Sequence, residues 1–154
     1  MIRSAIGQGF WGDWLEAPVR LIEQGPLNYL TLDYLAEVTM SVLQKQRQAD
    51  PDLGYARDFP QLIQRISKQI RDRGVRVIAN AGGVNPTACA AMVRALAPQL
   101  KVAVVKGDDV LARIDEILDL GYPLANMDTG VPLIRIRDRI LSANASMLLV
   151  YKDD

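Results

Sequence analysis

No histidine occurs in the 154-residue sequence, which removes every Ser-His and Cys-His nucleophile pair and every His-ligated metal site. Any chemistry must use carboxylates, Lys, Tyr, Asn, backbone N–H groups or a bound cofactor. Cysteine is nearly absent as well. Cys89 alone can form no internal disulfide, which suits a reducing compartment, and it reads as a buried thiol. Neither sign of charge is in excess, with 18 acidic and 18 basic side chains, so neither nucleic acid nor an anionic membrane surface is an expected partner. No apolar stretch approaches the roughly 20 residues of a membrane span, and Met1-Ile2-Arg3-Ser4 does not open the apolar run of a signal peptide. The expected location is the cytoplasm.

What is present is enough apolar material, 49% of the chain, for one sizeable core, so residues 1–154 read as a single domain. Four times a short apolar run leads through a Gly- or Asp-bearing loop into a helical pattern. That order predicts an α/β fold: a three-layer, largely parallel sheet with helices on both faces, Rossmann-like, with strands near 2–7, 29–33, 75–79 and 101–105. Leu35, Val38, Val42 and Leu43 fall on one helical face before Asp50-Pro51 ends it. Asp58 is the expected cap of a helix carrying Leu62, Ile63, Ile66 and Ile70, with Gly74 at its C′ position. Asn85 caps a helix that opens on Pro86 and stops before Pro98. Asp108 is expected to cap another, bearing Val110, Ile114, Ile117 and Leu118 and closed by Gly121. Beyond Tyr122 the periodicity degrades, and 133–136 and 147–151 are compatible with strands.

Gly7-Gln8-Gly9-Phe10-Trp11-Gly12 fits G-x-G-x-x-G, and Asp33 stands where a dinucleotide fold places its ribose-binding carboxylate. A helix running directly out of those glycines would enclose Pro18, at a cost of about 3 kcal/mol. Starting the helix near Pro18 instead leaves Gly7 to Ala17 as a long loop, which either turns the chain or binds an anion through N–H groups. In Asn80-Ala81-Gly82-Gly83-Val84-Asn85-Pro86-Thr87, a strand end meets a helix start. There, N–H groups and two glycines favour a phosphate or carboxylate, while capping and turning alone are the plainer explanation. Asp108 and Asp109, with Asp13 and Asp33, could offer oxygen ligands to Mg²⁺, although a helix cap with a solvated carboxylate is the commoner role. Asp33 and Glu37 are spaced as an acid and base could be, though acids in a first helical turn are usually there for the dipole. Trp11 and Trp14 could wall a ligand or close a core.

Taken in order, these segments resemble the acyclic terpene utilisation family. The resemblance is carried by Gly7-Gln8-Gly9-Phe10 with Gly12-Asp13, by Asp33-Tyr34-Leu35-Ala36-Glu37 with Thr39, and by Asp50-Pro51 with Gly54-Tyr55. Asn80, Gly82, Asn85-Pro86, Gly107-Asp108-Asp109 and Ile140-Leu141-Ser142-Ala143-Asn144-Ala145 continue it over about residues 4–145. It implies a place in the breakdown of citronellol- and geraniol-type terpenoids, through branched acyl-CoA thioesters. Family members resembling this chain are longer, so the chain is expected to be an N-terminal portion, with a divergent tail over 146–154. As a homo-oligomer it would cover exposed apolar surface or an open sheet edge.

The expected ligand is a small anion or an acyl-CoA at the carboxyl edge of the sheet. Gly7, Gly9, Gly12, Asp13, Asp33, Asn80, Gly82, Gly83, Asn85 and Asp108 are its candidate contacts, and no metal site is assigned. Three functions compete: a catabolic protein of terpenoid or branched acyl-CoA breakdown, a non-catalytic assembly module acting with another chain, and a nucleotide-dependent oxidoreductase, which Pro18 weakens.

Overall fold

Residues 1–122, 124–140 and 142–145 are described by a computed structural model of the chain, which falls into two units, Met1–Val105 and Lys106–Asp154. The first unit is built on β1 (Ser4–Gln8), β2 (Tyr29–Leu32) and β3 (Arg76–Ala79). They are parallel and lie side by side in the order β1-β2-β3. Between and after them come α1 (Glu16–Gln24), α2 (Glu37–Ala49), α3 (Asp58–Arg73) and α4 (Pro86–Leu96). The chain is therefore α/β, as its alternating pattern predicts.

Consecutive parallel strands in sequence order, joined by right-handed crossovers, put their helices on one face of the sheet. The core follows that rule. Leu30 and Leu32 share it with Val19 and Ile22 of α1, Leu62, Ile63 and Ile66 of α3, and Val93 of α4. Fully burying a side chain of this size contributes about 1.5–3 kcal/mol. On the opposite face, Ile6, Thr31 and Ile78 form one register row, and Ile6 and Ile78 are 74% and 55% exposed.

Several local signals act as expected. α1 starts at Glu16, so Pro18 falls in its first turn and removes no helical hydrogen bond. Gly74 ends α3 in the left-handed conformation, φ +64°. Asn85 caps α4 by accepting the Ala88 N–H at 3.3 Å.

Other expectations are corrected. Residues 101–105 form no strand. Leu100 and Val102 pack against the core, but the Arg94 guanidinium takes the Val102 carbonyl at 2.9 Å, an acceptor that a strand ladder would use. Among the described side chains of α2 only Leu43 is buried, while Val38 and Val42 are exposed. Asp58 is the first residue of α3 rather than its cap.

In the second unit, α5 (Ile114–Asp119) follows a 3-10 turn over Leu111–Arg113. Residues 133–136 belong to a 3-10 helix, Leu133–Arg139, instead of a strand, and the segment is tied to α5 by an Arg137–Asp115 ion pair. The 147–151 strand expectation lies outside the described residues. No helix among those described is long and apolar enough to cross a membrane.

Candidate functional site

The carboxyl ends of the three strands open into loops that are laced together by polar side chains. After β1, the Asp13 carboxylate closes the first loop on itself, taking the Gly9 N–H at 3.1 Å and the Trp14 N–H at 2.7 Å. These two donors, Gly9 first, hold the Asp13 carboxyl below its ordinary titration range. Phe10 and Trp14 are exposed, and the Arg20 guanidinium stacks over the Trp14 ring with its carbon 4.8 Å from the centroid. Among the described residues, no acceptor takes a hydrogen bond from the N–H groups of Phe10, Trp11 or Gly12.

Gly7 plays a different part from Gly9. A Cβ at Gly7 would lie 2.9 Å from Pro18 Cβ and 3.0 Å from Leu32 Cδ2, so its hydrogen lets α1 press on the sheet. At Gly9 an added Cβ meets only Asp13 Oδ2, at 3.8 Å, and at Gly12 nothing within 4 Å. Those two face open space.

After β2 and β3, Asn80 Nδ2 donates to Asp33 Oδ1 at 2.7 Å, and Asn80 Oδ1 accepts the Tyr34 N–H at 2.7 Å. Asp33 also takes the Leu35 N–H at 3.2 Å, and its own N–H reaches Gln8 O at 3.0 Å. With the strand order sequential, β2 stands between the other two. Asp33 therefore lies between the Gly9 loop and the Asn80 loop, and no reversal of strand order opens a crevice there.

Gly82 and Gly83 face the protein. A Cβ at Gly82 would come within 2.8 Å of Pro86 Cα, and one at Gly83, where φ is +50°, would collide with Leu43 Cδ1 and lie 2.8 Å from Gly54 O. The atoms approaching these glycines closely are the chain's own. Asn85 also donates from Nδ2 to Pro51 O and Leu53 O, both at 2.8 Å, so the 51–53 segment is pinned beside the start of α4.

Asp108 belongs to the second unit. Its Oδ2 accepts from Asn144 Nδ2 at 3.3 Å, and its carbonyl accepts the Ala145 N–H at 2.7 Å, while Asp109 Oδ1 takes the Leu111 N–H at 3.1 Å. Asp109, not Asp108, thus turns the chain into the helical segment. Among the described residues no group of three or more His, Cys, Asp or Glu could hold a metal ion. Cys89 is buried, and that burial pushes its thiol up to about 12, so no nucleophilic thiolate is available near neutral pH.

Sequence reasoning missed Gln8, Tyr34 and the Trp11–Asp58 hydrogen bond of 2.9 Å. Gln8 and Tyr34 are 2% and 0% exposed, and both immediately adjoin singled-out residues, Gly9 and Asp33. The burial of Gln8 goes with a register shift between Ile6 and Gln8 that no composition or spacing announces.

A family model described as acyclic terpene utilisation family protein AtuA matches residues 2–147. No curated protein and no solved structure matches the chain.

Proposed function

The chain belongs to the acyclic terpene utilisation family, and from that we propose that it serves the breakdown of acyclic terpenoids by binding a branched acyl-CoA or similar small anion at the carboxyl edge of its sheet. One observation carries this reading. The Phe10, Trp11 and Gly12 N–H groups have no acceptor among the described residues, in a loop flanked by the exposed Phe10 and Trp14 rings and the Arg20 guanidinium. N–H groups and a guanidinium suit phosphate oxygens, and the aromatic faces suit a branched apolar chain. Asp13, whose charge is already engaged by two N–H donors, holds the loop open in that shape. Amide NMR during addition of inorganic pyrophosphate, and then of CoA, tests it. Shifts centred on Phe10, Trp11 and Gly12 are expected, whereas shifts centred elsewhere would overturn the reading.

A second reading, an assembly module acting with another chain, is supported by the bare row Ile6–Thr31–Ile78. Parallel sheets are ordinarily covered on both faces. A second copy of this chain is the partner this reading commits to, and it is compatible with the first.

A further inference from the structure

At the amino edge of the sheet, opposite the loops that follow the strands, Arg3 precedes β1, Asn28 precedes β2, Gly25 follows α1 and Arg73 ends α3. These four residues, with Pro26 and Leu27, line an open depression of about 340 Å³, a volume within the range of small-molecule sites. The backbone around it is fixed. Asn28 Oδ1 accepts the Arg3 N–H at 2.9 Å, and the Arg3 carbonyl accepts the N–H groups of Asn28 at 2.9 Å and Tyr29 at 3.2 Å. Arg73 Nη1 donates to Ile22 O at 2.8 Å, which orients its guanidinium at the end of α1.

The charge of this depression is one-sided. No Asp or Glu lines it. Elsewhere the arginines meet carboxylates, as in Arg65–Glu16, Arg71–Asp72, Arg113–Glu116 and Arg137–Asp115. The Arg3 guanidinium has no acceptor among the described residues, and Asn28 Nδ2 has none either. Arg73 commits one N–H to Ile22 O, and a guanidinium carries five. Two cations facing one depression repel each other, and an anion held between them relieves that repulsion. Planar guanidinium forks match the oxygens of a phosphate.

We propose that this depression is a second binding site, which takes the phosphate group of a small phosphate monoester whose carbon chain lies along Pro26 and Leu27. The Arg3 guanidinium, the remaining N–H groups of Arg73 and Asn28 Nδ2 donate to the phosphate oxygens. A phosphate monoester carries close to two negative charges near neutral pH and answers both arginines, whereas a monocarboxylate answers one. The site lies at the opposite edge of the sheet from the Gly9–Trp14 loop and does not rest on the reading given to that loop. Either one can fail without the other.

The test uses the full chain, with 3-methylbutyl phosphate as the probe and 3-methylbutanoate as its monocarboxylate counterpart. The phosphate should shift the NMR signals of the Arg3 and Arg73 guanidinium groups and the Asn28 side-chain amide, and it should bind about tenfold more tightly than the carboxylate. Arg3→Gln, which leaves the backbone hydrogen bonds to Asn28 in place, should weaken phosphate binding about tenfold or more at an unchanged melting temperature. Asn28→Asp keeps the acceptor for the Arg3 N–H but sets a carboxylate in the depression, and it should abolish binding. Gly9→Val, at the far edge, should bind the phosphate as the parent does. Unchanged binding in Arg3→Gln, equal affinity for phosphate and carboxylate, or no binding by the parent would each overturn the proposal. So would loss of binding in Gly9→Val, which would place the phosphate at the other edge. If Asn28→Asp fails to fold, Arg3→Gln decides alone, because its side chain is exposed.

Discussion

Asn80 bridges the ends of two strands, donating to the Asp33 carboxylate and accepting the Tyr34 N–H, both at 2.7 Å. One carboxamide thus fixes where β2 and β3 release their loops. Asn80→Ala leaves the Tyr34 N–H without its acceptor and should cost about 1–3 kcal/mol in urea unfolding. Asn80→Asp keeps that acceptor but sets a second carboxylate beside Asp33, so at pH 7 it should be less stable than the parent. A parent-like urea midpoint for both variants would show that the bridge does not hold the edge together.

The glycines of the edge should divide sharply. Gly83→Ala introduces a Cβ against Leu43 and the Gly54 carbonyl at a positive φ, and should cost about 2–4 kcal/mol through strain and overpacking. Gly9→Ala points into open space and should stay within about 0.5 kcal/mol of the parent. Thermal melts of the two variants check this. Equal effects would contradict the division into packing glycines and site glycines.

Asp13 gives the loop a pH dependence of known sign. Its carboxyl is depressed below 3.8 by the Gly9 and Trp14 N–H donors. Its contribution is therefore fully present above the unfolded value and is lost as pH falls through the lower folded value. Stability should decline below about pH 4, and Asp13→Asn should flatten part of that decline. Acid titration followed by circular dichroism reads the difference; an unchanged slope in the variant would remove Asp13 from the account.

The bare sheet face predicts self-association. Light scattering should report a homo-oligomer, and Ile78→Lys, which sets a charge on the exposed row without touching the core, should shift it toward monomer. A strict monomer at high concentration would leave the assembly reading without support.

How much of this was legible in the sequence depended on how local the cause is. Pro18, Gly74 and Asn85 act through the conformation or capping of a single turn, and each sits as its chemistry dictates. β1, Ser4–Gln8, carries a weak signal in which Ile6 alone is β-branched, whereas β2 and β3 announce themselves through β-branched and apolar runs. Residues 101–105 carry the same signal but meet no ladder partner, and 133–136 wind into a 3-10 helix, because strand identity also needs a neighbour that composition does not name. The Gly82–Gly83 pair was visible as a glycine loop, but whether a glycine makes room for a ligand or for Leu43 and Pro86 depends on distant packing. The register shift that buries Gln8 is the extreme case. One skipped pairing moves a polar side chain to the other face.

The central claim, ligand binding at the outer loop, is tested most directly by calorimetric titration of 3-methylbutanoyl-CoA into the parent and into Gly9→Val. Gly9 has room for a side chain and no positive φ, so the branched group obstructs the N–H groups of the loop without disturbing the fold. Saturable binding by the parent, at least about tenfold weaker in Gly9→Val at an unchanged melting temperature, is the predicted result. Absent binding, or equal affinity in the two proteins, would contradict it.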